Sequence, residues 1–198
     1  MIQYAIASVP ERHDNAVSLA DRLAADLIVD HEHRGHVWTH REAWGRHLDR
    51  ETDGALVVLE DDVRLCSDFD QHIQEEIDAL GRDEILSLYM GRRSPTRDQA
   101  QLLFRTAAYT GAPLSTPHVF NALGLGIPFA LIDDMLEYTE PMAGPWDEIV
   151  ESWVKARDLR VRYSVPSHID HLDLPTTLPR TAYQPRPQGR VAWSFCKA

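Results

Sequence analysis

Short runs of mostly apolar residues alternate along this chain with stretches in which apolar positions recur every three or four residues. The first pattern is that of strands and the second that of helices, and their alternation predicts an α/β domain with a mostly parallel central sheet flanked by helices. "IQYAIAS" reads as the first strand, ended by Pro10. Asp14 or Asn15 is placed to cap a helix through "NAVSLADRLAAD", where Val17, Leu19, Ala20, Leu23 and Ala24 form one face. "LIVD" follows as a short strand and "HREAWGRHLDRE" as a helix with Ala43, Trp44, His47 and Leu48 on its stripe. The unbroken run "ALVVLE" is the signature of a central strand buried on both faces. "SDFDQHIQEEIDALG" predicts a helix from Ser67 or Asp68 to Gly81, and "EILSLYMG" a fourth strand.

The second half is less regular. "PTRDQAQLLFRTAAYTGA" is expected to be helical, "HVFNALGLGIPFALIDDMLEY" passes from strand to helix near Pro128, and "GPWDEIVESWVKARD" is amphipathic with Trp146, Ile149, Val150, Trp153 and Val154 inward. "LRVRYSVP" closes as a strand. Prolines at 166, 175, 179, 185 and 187 then predict an extended proline-rich wrap rather than a regular element.

Composition narrows what such a domain can do. At 198 residues and 43% hydrophobic content the chain fits one domain. A net charge of -11 argues against nucleic acid or an anionic membrane as the main partner. All but Lys155 and Lys197 of the 20 basic residues are Arg, which suits forked contacts to phosphate or carboxylate, although a GC-rich genome produces the same bias. Two cysteines, Cys66 and Cys196, suggest no disulfide framework and a reducing compartment. With no N-terminal signal and no apolar run near membrane length, a cytoplasmic protein without membrane insertion is expected.

The chemistry concentrates where "ALVVLE" runs into Glu60, Asp61 and Asp62. Ligands of open α/β sheets gather beyond the carboxyl ends of strands, and Mg or Mn carrying a nucleotide needs only one or two protein carboxylates. The bland alternative has Asp61 and Asp62 capping a turn with Glu60 in solvent. A second rich patch, "HEHRGHVWTH" with His31, His33, His36 and His40, lacks cysteines and an obvious fourth ligand, so it reads mainly as loop and helix start.

The flanking residues add a resemblance. Gly35, Thr39, His40, Trp44, "VLEDDV" and Phe69 follow the pattern of the lipooligosaccharide and procollagen galactosyltransferase family, with Thr39 in place of the usual Ser. "LSLYMGRR" is similar to the family's strand ending in Leu-Gly-Arg, and "GPWDEIVESW" resembles its Pro-Val-Asp segment. The family's Gly-Thr-x-Ala-Tyr stretch is not reproduced by "LGLGIPFALI", and the chain's length is closer to compact, phage-encoded versions.

The resemblance implies a GT-A fold in which residues 1–93 bind a nucleotide sugar, 94–165 form the acceptor side and 166–198 the tail. It implies a metal-dependent hexosyltransferase that uses Mn2+ or Mg2+, with a UDP-sugar as donor and a glycan or protein hydroxyl, a phage virion protein included, as acceptor. Asp62 would be the metal ligand, Glu60 would touch the ribose or the metal through water, and His171 is preferred over His168 as the third ligand. His40 falls near the donor, and Asp61 belongs to the same DxD-like motif. Asp147 falls at the acceptor-side carboxylate, a candidate general base, with Trp146 beside it as a face for a sugar ring. Arg12 and the strand-end residues Arg92 and Arg93 are placed to meet base or phosphate. Arg180, Arg186 and Arg190 could fold over the diphosphate. Two other classes stay open: a metal-dependent phosphoesterase using the same acids with His168 and His171, and a nucleotide-sugar-binding protein without turnover.

Overall fold

The computed structural model describes residues 1–46, 53–92, 97–110, 113–174 and 190–196. In chain order the elements are β1 (Ile2–Ser8), α1 (His13–Leu23), β2 (Asp26–Val29), α2 (His36–Gly45), β3 (Ala55–Glu60), β4 (Val63–Leu65) and α3 (Phe69–Asp78). There follow β5 (Glu84–Ser87), α4 (Arg97–Thr110), β6 (Leu114–Thr116), β7 (Gly124–Pro128), α5 (Phe129–Thr139), α6 (Trp146–Ala156), β8 (Arg160–Tyr163) and β9 (Ile169–His171). A 3-10 turn over Pro10–Arg12 leads into α1.

Seven strands form one sheet in the order β2-β1-β3-β7-β5-β8-β6. β3 earns its central place by composition. Leu56 and Val58 pack into the cluster shared with α2, α5 and α6, while Val57 and Leu59 face the cluster shared with α1 and α3. Every residue from Ala55 to Leu59 is buried, as a strand covered by helices on both faces requires.

The expected mostly parallel sheet is found for five of its seven strands, and the correction is that β6 and β7 run against them, so that the sheet is mixed. β1 pairs in parallel with β2 and β3, and β5 with β8, whereas β7 is antiparallel to both β3 and β5, and β6 to β8. Periodicity could not reveal this, because a buried run such as "GLGIP" has the same side-chain pattern in either direction. A second correction concerns the tail. His171 and its neighbours pair as β9 with β4 in a small antiparallel sheet, Val63 opposite His171 and Leu65 opposite Ile169. Residues 190–196 also lie along the main body, where Gly91 bridges to Ala192 and the Trp193 N–H donates to the Met90 carbonyl at 2.9 Å. Pro175, Pro179, Pro185 and Pro187, like His47 and Leu48, fall outside the described residues. The helix caps differ too: α1 begins at His13, with Arg12 rather than Asp14 or Asn15 at its N-cap, and Asp68 at the N-cap of α3 makes no side-chain cap bond.

Gly124, at the start of β7, is where the small sheet presses on the large one. A Cβ there would lie 2.5 Å from Ile169 Cδ1 and 2.9 Å from Leu59 Cδ2. Gly124→Ala should therefore destabilise the fold by about 1–3 kcal/mol, the usual cost of overpacking. A urea midpoint equal to the parent's would show that Ile169 can move aside. Among the described residues no helix is long and apolar enough to cross a membrane.

Candidate functional site

β1, β2, β3, β5 and β8 share one direction, so their carboxyl ends share one rim, and the acids at the end of β3 stand near its middle. The three acids do different things. Asp61 is consumed by its own scaffold: Oδ2 accepts from Ser8 Oγ at 2.9 Å and the Val9 N–H at 3.2 Å, and Oδ1 from Arg12 at 2.8 Å. The Asn15 side-chain amide donates to its backbone carbonyl. Asp61 thus ties β3 to the β1–α1 connection. Burial still holds its pKa above the ordinary carboxylate range, against the lowering effect of Arg12.

Arg12 points inward rather than toward open solvent. Its guanidinium also donates to Asp62 Oδ2 at 2.6 Å, and its side chain is only 11% exposed. Burial alone would lower the Arg12 pKa, but the two carboxylates raise it, so it remains a fixed cation. One guanidinium shared between two carboxylates is a buried triad, and removing the shared cation, which would leave both carboxylates uncompensated, costs about 3–5 kcal/mol.

Asp62 is the acid with capacity left over. It is 2% exposed, yet among the described residues its Oδ1 atom has no hydrogen-bond partner. Burial and the charge of Glu60 push its pKa up, and Arg12 and Arg190 only partly offset this. His171 Nε2 lies 3.5 Å and an Arg190 nitrogen 4.0 Å from Asp62 Oδ2. The β4–β9 pairing brings His171 there, and the Leu172 N–H fastens the strand by donating to the Asp62 carbonyl at 2.8 Å. The ring's orientation is informative. Its Nδ1 accepts the Asp173 N–H at 2.7 Å, so a neutral imidazole carries its proton on Nε2, the atom facing Asp62. In this tautomer His171 turns its N–H rather than a lone pair toward Asp62, at 3.5 Å an ion-pair distance and not a hydrogen bond.

Glu60 turns the other way, its Oε1 3.5 Å from His40 Nε2. Burial would raise its pKa, but the His40 hydrogen bond and the charges of His40, His171 and Arg12 bring it below the ordinary value. Ligand atoms of Glu60, Asp62 and His171 consequently do not all come within 4.8 Å of one another. His40 is itself held by stacking on Trp146 at 5.4 Å and 9°. Trp146 is buried in that stack, so it supports His40 and has no face to offer a sugar. Asp147 follows it at the start of α6, with Oδ1 accepting the Glu148 N–H at 3.1 Å. Burial, Glu148 and Glu60 together raise its pKa.

The other candidates are placed less centrally. Arg92 is exposed beyond β5 and donates its backbone N–H to the Val191 carbonyl at 3.1 Å. Arg190 bridges toward Asp62 and, at 3.4 Å, Asp173. Arg93, Arg180 and Arg186 lie outside the described residues. His168 faces away from the acids and meets Glu76 at 3.3 Å. In the His-rich patch, His33 meets Glu11 at 3.7 Å and His36 meets the Gly144 carbonyl at 3.1 Å, and it gathers no metal-ligand group among the described residues.

Sequence reading missed Ser8, Asn15 and Asp30. Asp30 follows β2 and accepts the Gly35 N–H at 2.7 Å, which sets the turn into α2 and hence the position of His40. A small polar residue at a strand's carboxyl end was the only available signal for Ser8 and Asp30. No protein-family model matches this chain, and no curated protein is significantly similar to it.

Proposed function

We propose that the chain is a metal-dependent glycosyltransferase of GT-A type that moves a sugar from a nucleoside diphosphate sugar, a UDP-sugar foremost, to a hydroxyl on a glycan or protein. The observation that carries this reading is the buried Oδ1 of Asp62 at the carboxyl-end rim of the sheet, which has no hydrogen-bond partner among the described residues. A buried carboxylate oxygen without a donor is costly unless a cation or ligand completes it. Asp62 would hold a hard divalent ion directly and Glu60 would reach it through water, a carboxylate donor set that keeps room for water and phosphate. Such an ion supplies neutralisation of the charge that develops on the departing diphosphate.

The chain's own residues do the rest. Arg12 takes up Asp61 and the Oδ2 side of Asp62, leaving Oδ1 for a cation. His171 steadies Asp62 from behind, a role that second-layer histidines and carboxylates commonly share around metals. Arg190 brings a fixed positive charge to the same rim, suited to a diphosphate oxygen. Asp147, with its raised pKa and within electrostatic reach of Glu60, is the general base toward the acceptor hydroxyl. The sequence resemblance described above supports the same assignment.

The test is incubation of the metal-stripped chain with Mn2+ and a panel of nucleotide sugars, followed by assay of free nucleoside diphosphate. Manganese-dependent hydrolysis of one donor, accelerated by a hydroxyl acceptor, is expected. Cleavage of a simple phosphodiester without any donor turnover would replace the transferase with a phosphoesterase. Donor binding without either reaction would leave a binding protein.

A further inference from the structure

The two cysteines meet although 130 positions separate them in the sequence. Cys66 follows β4, His72 lies on α3, and Cys196 ends the described part of the tail. Their ligand atoms, Sγ of each cysteine and one ring nitrogen, all fall within 4.8 Å of one another. Cys196 Sγ is 3.8 Å from His72 Nε2.

Backbone bonds fix this meeting. The Cys66 N–H donates to the His168 carbonyl and the Cys196 N–H to the Ser167 carbonyl, both at 3.0 Å, so residues 167 and 168 act as a spacer between the two thiols. Ser167 also bridges to Phe195. The His72 ring lies flat against His168, with centroids 5.0 Å apart and planes at 4°. His168 is anchored in turn on Glu76.

We propose that Cys66, His72 and Cys196 form a binding site for a thiophilic divalent cation of the zinc type, separate from the acid cluster and serving to fasten the C-terminal segment to the sheet. Two sulfurs and an imidazole are the donor set that zinc prefers and that magnesium and manganese do not. The spacing is also close to what is needed. Bond lengths of about 2.3 Å to sulfur and 2.0–2.1 Å to nitrogen at a tetrahedral angle place the S and N atoms about 3.6 Å apart. The observed 3.8 Å calls for only a slight contraction. Binding M2+ releases one proton from each thiol to the buffer and leaves a neutral three-ligand site, whose fourth position falls to water.

The alternative for two adjacent thiols is a disulfide. Both cysteines are free. The fastened segment carries Arg190, which lies 4.0 Å from Asp62. An ion at the cysteines would therefore help hold that charge over the acids.

Cobalt(II) is the probe. Added to the metal-stripped, reduced chain, one equivalent should give the intense near-ultraviolet sulfur-to-metal band and the visible bands of a tetrahedral site. Zinc at about a hundred times its dissociation constant should raise Tm by roughly 5 °C or more. Cys196→Ser, at the half-buried edge of the fold, should lose the sulfur band and the zinc shift while keeping the parent's metal-free Tm. His72→Ala, which keeps both thiols, should weaken cobalt binding at least tenfold. Asp62→Asn should keep the band, which separates this site from the acids. Weak octahedral absorbance only, cobalt affinity unchanged in His72→Ala, or two thiols missing from the chain purified without oxygen would each overturn the site.

Discussion

Asp62→Asn is expected to reduce manganese-dependent sugar transfer by about 10³-fold. A metal ion's stabilisation of the departing charge is worth several kcal/mol of barrier, and each 1.36 kcal/mol is a factor of ten. The amide retains the shape of the carboxylate but not its charge, and Arg12 keeps Asp61 as a partner. The fold should therefore survive. Its stability should even respond in the opposite direction to activity. The Asp62 pKa is raised in the folded state, so the carboxyl's favourable contribution is present below its unfolded value of about 3.9 and is lost as pH rises through the folded value. Asn escapes that loss. The variant's Tm at pH 7 should equal or exceed the parent's, and its stability should vary less between pH 4 and pH 7. Transfer at the parental rate would remove the metal role from Asp62.

Asp147→Asn is expected to lower kcat by 10² to 10⁴, the usual contribution of a general base, with donor affinity nearly intact. Glu148→Gln is the control, since Glu148 is the exposed member of the same helix-start acid pair. The pH profile gives a second readout. A base works deprotonated, and the Asp147 pKa lies above the model-compound value of 3.8 because of burial, Glu148 and Glu60. The acid limb of kcat should accordingly fall at a higher pH than an ordinary aspartate would give, and should vanish in Asp147→Asn. If both variants transfer sugar at the parental rate with an unaltered limb, Asp147 is an acid favoured only by the helix dipole.

The two variants also separate the two halves of the functional reading. Loss in Asp62→Asn alone would leave the cation in place as a participant but require another base. Loss in Asp147→Asn alone would leave the base without the proposed metal.

What the sequence determined by itself is whatever neighbouring residues encode. "ALVVLE" could only be a strand covered on both faces, and β3 is buried through Leu59. The period of "WDEIVESWV" places Trp146, Ile149, Val150, Trp153 and Val154 inward, and all five are buried in α6. That the acids follow a strand's carboxyl end was equally legible, because strand and acids are contiguous. The tertiary structure alone decided the rest. The reversed direction of β7 is invisible to periodicity, since a two-residue alternation is symmetric under reversal. Which acid is spare depended on contacts across the chain: Ser8, Val9 and Arg12 take both oxygens of Asp61, and only then is Asp62 Oδ1 left as the one with room. The proton on His171 is set by the amide of Asp173, two residues further along, but its aim at Asp62 comes from the β4–β9 pairing. The meeting of Cys66 with Cys196 has the same origin. Local spacing reports the repeat of a helix or strand, whereas a site assembled from strand ends and a returning tail exists only once long-range burial has placed those segments side by side.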